Sequence, residues 1–100
     1  MNIDLLLTRL GRDPRQSREN RALAEKAKEY LRRAKNVVIT GKHGAAKGEI
    51  AKPAACCALA TDFLGDPLDT KKVKLLSGAT EKVFDATVAT LRTALGVSTK

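Results

Sequence analysis

The sequence contains few aromatic residues. Only Tyr30, Phe63 and Phe84 are aromatic among 100 residues, and tryptophan is absent. Modules that bind RNA by base stacking need exposed aromatic side chains on a sheet, and strands are enriched in aromatic and β-branched residues. Alanine and leucine are abundant instead, which favours helices that pack closely through small side chains. The composition therefore predicts an all-α domain.

Cysteine is also scarce, and long apolar runs are missing. Cys56 and Cys57 are adjacent within the run AACCALA, where they are poorly placed to form a disulfide with each other or to complete a zinc site. We expect two buried free thiols, which are typical of a reducing compartment. No run reaches the roughly 18 apolar residues of a membrane span, and no segment resembles a signal peptide. These absences predict a soluble intracellular protein with no membrane partner, metal or cofactor.

Side chains suited to catalysis are missing as well. His43 is the single histidine, and neither Asp nor Cys lies near it in the sequence, so we expect a solvent-exposed loop histidine. The surrounding segment GKHGAAKG lacks the G-x-x-x-x-G-K-[ST] order of a phosphate-binding P-loop. No paired carboxylates or nucleophile arrangement is recognisable. The chain is therefore predicted not to be an enzyme.

Positive charge is in excess and unevenly distributed. The net charge is +8, and residues 9–35 hold ten basic and four acidic residues, so nucleic acid is the first partner to consider. The alternative is ordinary solvation of a helix. Glu25 with Lys28, and Glu29 with Arg32 and Arg33, lie at spacings that form ion pairs on a helix surface.

The spacing of apolar residues predicts five helices. They cover Ile3 to Leu10, residues 17–35 beginning at Ser17, Pro53 to Leu64, residues 69–77, and residues 80–95 ending at Gly96. The third is apolar or small on every side, so we expect it at the centre of the domain. Residues 37–40 predict an extended connection, residues 41–48 predict a basic loop, and Pro53 suits the first turn of the third helix.

The segment PLDTKKVKLLSGATEKVF, from Pro67 to Phe84, predicts two helices around a glycine turn. Ser77 and Gly78 close the first helix, and Thr80 caps the second. A helix N-terminus presents free amide N–H groups and a positive dipole end, and both favour phosphate. Three lysines lie beside the turn: Lys71, Lys72 and Lys74. The alternative is a plain surface turn between packed helices.

Three segments resemble a known family. GEIAKPAACCALATDFL, KAKEYLRRA and PLDTKKVKLLSGATEKVF are similar to the N-terminal cyclin-like domain of the sixth subunit of the eukaryotic origin recognition complex. The resemblance implies a five-helix cyclin-like fold related to the core repeats of transcription factor IIB, and a nuclear role in replication initiation. It also implies double-stranded DNA, the other subunits of the complex and the helicase-loading machinery as partners. Because such proteins normally carry a second cyclin-like domain and a docking segment, we expect this chain to be the first domain of a longer protein.

The resemblance also suggests site residues. Ser77 matches a serine that precedes the glycine in the family, and a basic position that follows falls on Glu81 or Lys82, of which we expect Lys82. Ser77 and the N–H groups of Ala79 and Thr80 would hold one phosphate. The full predicted set of DNA-binding residues is Lys71, Lys72, Lys74, Ser77, Gly78, Thr80 and Lys82.

Four lysines engaging about four phosphates would give a slope of log affinity against log salt of about −3.6. Two alternatives remain at this point. One is a protein-interaction module in which the basic second helix docks an acidic partner. The other is a transcription-initiation domain of the transcription factor IIB type.

Overall fold

The computed structural model describes residues 3–37, 45–65 and 70–96, with side chains for 3–37, 50–65 and 71–96. These ranges form five helices and no strand, which confirms the all-α prediction and is consistent with a cyclin-like fold. The helices are α1 (Ile3–Arg9), α2 (Arg18–Ala34), α3 (Ala45–Leu64), α4 (Thr70–Leu76) and α5 (Glu81–Leu95). The predicted connection at residues 38–40 and His43 lie outside the described residues.

Local sequence determines where most of the helices begin and end. The Ser17 hydroxyl accepts a hydrogen bond from the Asn20 amide at 3.1 Å, so α2 starts where the sequence predicts. Gly96 ends α5 with φ +66° and donates its amide N–H to the Arg92 carbonyl. This left-handed conformation is one that glycine adopts without the steric cost of a Cβ atom.

The central position predicted for the third helix is confirmed. α3 packs against α1, α2, α4 and α5. Its small residues let the neighbouring helices approach closely, and α2 contributes small residues from the other side. The fully buried alanines are Ala27, Ala34, Ala51, Ala54, Ala55 and Ala60.

The predicted start of the third helix is wrong. α3 begins at Ala45, so Pro53 lies inside the helix and residues 45–48 are not a loop. An internal proline costs a helix about 3 kcal/mol, and tertiary contacts of the added turns offset that cost. Lys52, which is 2% exposed, donates from Nζ to the Ala34 carbonyl at 2.9 Å and the Val37 carbonyl at 2.8 Å. Ala34 is the last residue of α2 and Val37 follows shortly after it, so Lys52 lies at a helix C-terminus, where a cation is favourable.

Polar contacts link the helices, and the ion pairs of α2 differ from those expected. Lys28 pairs with Asp4 of α1 at 3.0 Å instead of with Glu25. Glu29 pairs with Lys26 at 2.8 Å, and this hydrogen bond lowers the pKa of its carboxyl group. The interhelical pair to Asp4 depends on how α1 packs, which helical spacing alone does not reveal.

Candidate nucleic-acid interface

The turn between α4 and α5 is organised by the Ser77 side chain. Its hydroxyl donates to the Lys74 carbonyl at 2.6 Å and accepts from the Ala79 amide at 3.2 Å. Ser77 is only 5% exposed. Gly78 follows with φ +76°, and a Cβ atom there would lie 3.1 Å from Ile50 Cγ2 of α3. The Ser-Gly pair therefore closes α4 as predicted and holds the turn close to α3.

The phosphate contact expected of Ser77 stays a prediction, and the structure shows what such a contact would require. Its hydroxyl and the Ala79 N–H, both expected to hold phosphate, are hydrogen-bonded to each other within the turn. A phosphate would have to break that bond to use either group. In this conformation Ser77 shapes the turn through its bonds to the Lys74 carbonyl and the Ala79 amide.

Thr80 caps α5 as predicted. Its hydroxyl accepts a hydrogen bond from the Val83 amide at 3.3 Å, and its backbone is extended, with ψ 161°. The N–H groups of Glu81 and Lys82 lie in the first turn, where a helix supplies no acceptor. These two amides, rather than that of Ala79, are the groups that an anion at this helix end would meet.

A surface cleft of about 630 Å³ lies beside the turn. It brings together two of the predicted lysines, the turn glycine, an 82% exposed leucine, an alanine and a carboxylate. The lining residues are Lys71, Lys74, Leu75, Gly78, Ala79 and Glu81. Lys72 and Lys82 are exposed but lie outside this lining. We call the surface from Lys71 to Asp85, around the turn between α4 and α5, the α4–α5 corner. Its cleft gathers only some of the predicted residues around one concave surface.

Lys74 forms ion pairs that the sequence pattern did not predict. Its Nζ lies 2.9 Å from Glu81 Oε1 and 3.3 Å from Asp85 Oδ1, so it crosses the turn to bind two carboxylates of α5. The hydrogen bond to Glu81 is the main reason that the pKa of Lys74 is raised, and Asp85 adds to it. The i, i+4 spacing of Glu81 and Asp85 places both on one helix face, a signal that could have indicated a shared cation.

Lys82 differs from Lys74. It is exposed in the first turn of α5, and within the described ranges it forms no ion pair. With Lys71, Lys72 and Lys74 it makes four cations at the corner, against the carboxylates of Glu81 and Asp85. Counting only the residues that the structure describes there, the net excess of positive charge is two.

Comparison with protein-family models identifies the family of this chain. The model of origin recognition complex subunit 6 (ORC6) matches residues 7–99, nearly the whole chain. The chain belongs to the ORC6 family. A search of the curated proteins and a search of the solved structures each gave no match.

Membership in the ORC6 family gives this chain a role in the origin recognition complex and in the initiation of DNA replication. The family consists of nuclear replication factors that associate with the other subunits of the complex and with DNA. The corner between α4 and α5 lies wholly inside the matched region. It is therefore a candidate for the part of this ORC6 chain that meets DNA.

A second basic surface of this ORC6 chain lies on α2. Some α2 cations have partners: Lys26 pairs with Glu29, and Lys28 with Asp4, while Arg33 donates to the Leu95 carbonyl at 3.0 Å. Other cations are exposed and form no ion pair in the described part of the chain. They are Arg18, Arg21, Arg32 and Lys35. Much of the net charge is thus located away from the α4–α5 corner.

The cysteines of this ORC6 chain are inaccessible to ligands. Cys56 and Cys57 are free and fully buried, as predicted. Burial raises the pKa of both thiols to about 12, so both stay protonated at physiological pH. Among the described residues, no cluster of three or more His, Cys, Asp or Glu side chains is arranged to bind a metal. In the same ranges, no helix has the length and apolar character to cross a bilayer.

Proposed function

We propose that this chain is a non-catalytic, nuclear, duplex-DNA-binding domain that contacts phosphates through the α4–α5 corner. The observation that carries the proposal is an excess of positive charge at the N-terminus of α5, a helix of 15 residues. Four lysines of the corner supply that charge. A helix N-terminus favours anions, and lysines neutralise phosphates. Retention on DNA through this contact would help the complex to load the replicative helicase.

The residues have different roles in this proposal. Lys71, Lys72 and Lys82 are exposed and neutralise phosphates along the backbone. The N–H groups at the start of α5 face one phosphate, and Thr80 holds that helix end in place. Ser77 and Gly78 set the path of the turn between the lysines of α4 and those amides.

The contact is expected to be largely independent of DNA sequence. The first turn of α5 consists of Glu81, Lys82 and Val83 and lacks the Arg, Asn and Gln side chains that make the bidentate contacts to guanine and adenine edges. Phosphate contacts position a protein on DNA but carry no direct sequence information. Binding of the domain alone is therefore expected to be weak, at about 10⁻⁴ to 10⁻⁶ M.

A triple substitution tests the proposed surface. Lys71→Gln, Lys72→Gln and Lys82→Gln together remove three cations from the corner, and we expect the salt dependence of DNA binding to be almost abolished. The measurement is a fluorescence-anisotropy titration of a short labelled duplex at several salt concentrations. Circular dichroism checks that the variant keeps its helices.

The matched control removes the same charge from α2, through Arg18→Gln, Arg21→Gln and Lys35→Gln. These exposed residues have no ion pair in the described ranges, so their replacement should leave most of the binding intact. If the control loses affinity and the corner variant does not, DNA binds α2 instead. If neither variant affects DNA binding in the assembled complex, a protein-interaction role, with α2 docking an acidic partner, is favoured.

A further inference from the structure

The ion pairs at the corner involve one cation and two carboxylates. Lys74 reaches from α4 to Glu81 and Asp85, and its side chain is 25% exposed, whereas those of Glu81 and Asp85 are 72% and 58% exposed. The cation is thus partly covered, and the two acids face solvent. The same arrangement places a carboxylate beside the first-turn amides of α5.

The fold has other means of holding this corner together. Exposed ion pairs contribute about 0–1 kcal/mol to stability. The turn already has the Ser77 hydrogen bonds, and α5 has the Thr80 cap. α5 also buries Val83 and Phe84 in its first turns. Stability of the turn therefore does not account for two carboxylates that share one lysine.

We propose that Glu81 and Asp85 compete with DNA phosphate for Lys74 and thereby restrain the affinity of the α4–α5 corner for DNA. This inference rests on the proposed function. In the free protein the two carboxylates use the Nζ donors of Lys74. Because these carboxylates neutralise the ammonium group, a DNA phosphate gains the full charge of Lys74 only if it displaces them. A carboxylate near the α5 amides also repels any phosphate that approaches that helix end.

The size of the restraint follows from elementary electrostatics. A carboxylate roughly 6 Å from a phosphate in water weakens binding about threefold, so the two acids together account for about tenfold. Releasing Lys74 adds one cation that can neutralise a phosphate, which makes the slope of log affinity against log salt steeper by about 0.9. Removing the two carboxylates should therefore change both the affinity for DNA and the slope of log affinity against log salt.

The test compares two charge-matched double variants. Glu81→Gln with Asp85→Asn removes both carboxylates that hold Lys74. Glu19→Gln with Glu25→Gln removes two exposed carboxylates from α2, one of them also in a helix first turn. Each variant and the unmodified chain are titrated against the same labelled duplex over a range of salt, and thermal unfolding is followed to confirm folding.

We expect the corner variant to bind about tenfold more tightly than the unmodified chain, with a slope steeper by about 0.9. The affinity of the α2 variant for DNA should rise less than about threefold, and its slope should be unchanged. The single substitutions Glu81→Gln and Asp85→Asn should each give less than half of the slope change, because the remaining acid still holds Lys74.

The outcomes separate this inference from the proposed function. If the unmodified chain binds DNA with a salt-dependent affinity but the two double variants gain equally, the restraint is refuted and the proposed function stands. If neither the unmodified chain nor any variant binds DNA with a salt-dependent affinity, the proposed function fails, and the restraint fails with it.

Discussion

Lys52 shows how one buried side chain joins two helices. Its ammonium group is held by the carbonyl of Ala34, the last residue of α2, and by that of Val37, three residues further on. The Ala34 carbonyl also accepts the Val37 amide at 3.0 Å. A buried charge is stable only when polar partners surround it. Lys52 therefore ties the end of α2 to the middle of α3.

Replacing Lys52 by methionine keeps the length of the side chain and removes its charge and donors. We expect a loss of about 1–3 kcal/mol in the free energy of unfolding, because the Val37 carbonyl loses its Lys52 donor and the Ala34 carbonyl keeps only the Val37 amide among the described residues. For a domain of this size this corresponds to a fall of at least about 4 °C in Tm. Thermal unfolding followed by circular dichroism measures it. The control is Lys35→Met, a solvent-exposed cation at the same helix end, and equal melting of the two variants would contradict the role given to Lys52.

The buried thiols predict a stability loss at alkaline pH. Unfolded cysteine ionises near pH 9.0, whereas burial raises the pKa of Cys56 and Cys57 to about 12. Between these values the unfolded state holds fewer protons than the folded state, so stability is full below pH 9 and falls as the pH rises. The expected loss is on the order of 1 kcal/mol per thiol between pH 9 and pH 10.

Urea unfolding at several pH values checks this expectation against a variant that carries Cys56→Ala and Cys57→Ala. The relevant quantity is the difference in pH slope, because the substitution also removes buried volume and lowers stability at every pH. Parallel slopes for the two proteins would mean that the thiols do not resist ionisation.

At the scale of single elements, the helix ends depend on local sequence. Thr80 positions α5 through one hydrogen bond to the Val83 amide, and Ser17 does the same for α2. Both were predictable, because a capping side chain acts on an amide three residues ahead and needs no other part of the fold.

We expect Thr80→Ala to lower the free energy of unfolding by about 1 kcal/mol, because the Val83 amide loses its acceptor. Thr80→Ser keeps a hydroxyl at the same place and should restore most of that loss. Urea unfolding of both variants gives the two values. A serine variant as unstable as the alanine variant would show that the hydroxyl is not what stabilises this helix end.

Elements that depend on tertiary contacts were predicted less well. The start of α3 was placed at Pro53, eight residues late, because proline normally marks a first turn and the contact of Lys52 with α2 has no signature in the local sequence. The same limit applies to the site. The sequence identified the turn, its cap and the lysines, but not the pairing of Lys74 with Glu81 across the turn or the burial of Ser77.

At the scale of the whole molecule, exposed positive charge occurs on two separate surfaces of the described ranges. The α4–α5 corner combines an excess of positive charge with a helix N-terminus, whereas the exposed cations of α2 lie along the side of a helix. The ORC6 family acts with DNA and with other subunits of the origin recognition complex. Two such surfaces suit the division that we propose, with DNA at the corner and α2 left for other contacts.

The most direct test of the central claim is the salt dependence of DNA binding by the unmodified 100-residue chain. Glu81 and Asp85 hold Lys74, and we assign about three phosphates to the exposed Lys71, Lys72 and Lys82. The account therefore predicts a slope of log affinity against log salt near −2.7, shallower than the −3.6 of four freely acting lysines. A slope near zero, or one unchanged by removal of Lys71, Lys72 and Lys82, would contradict it.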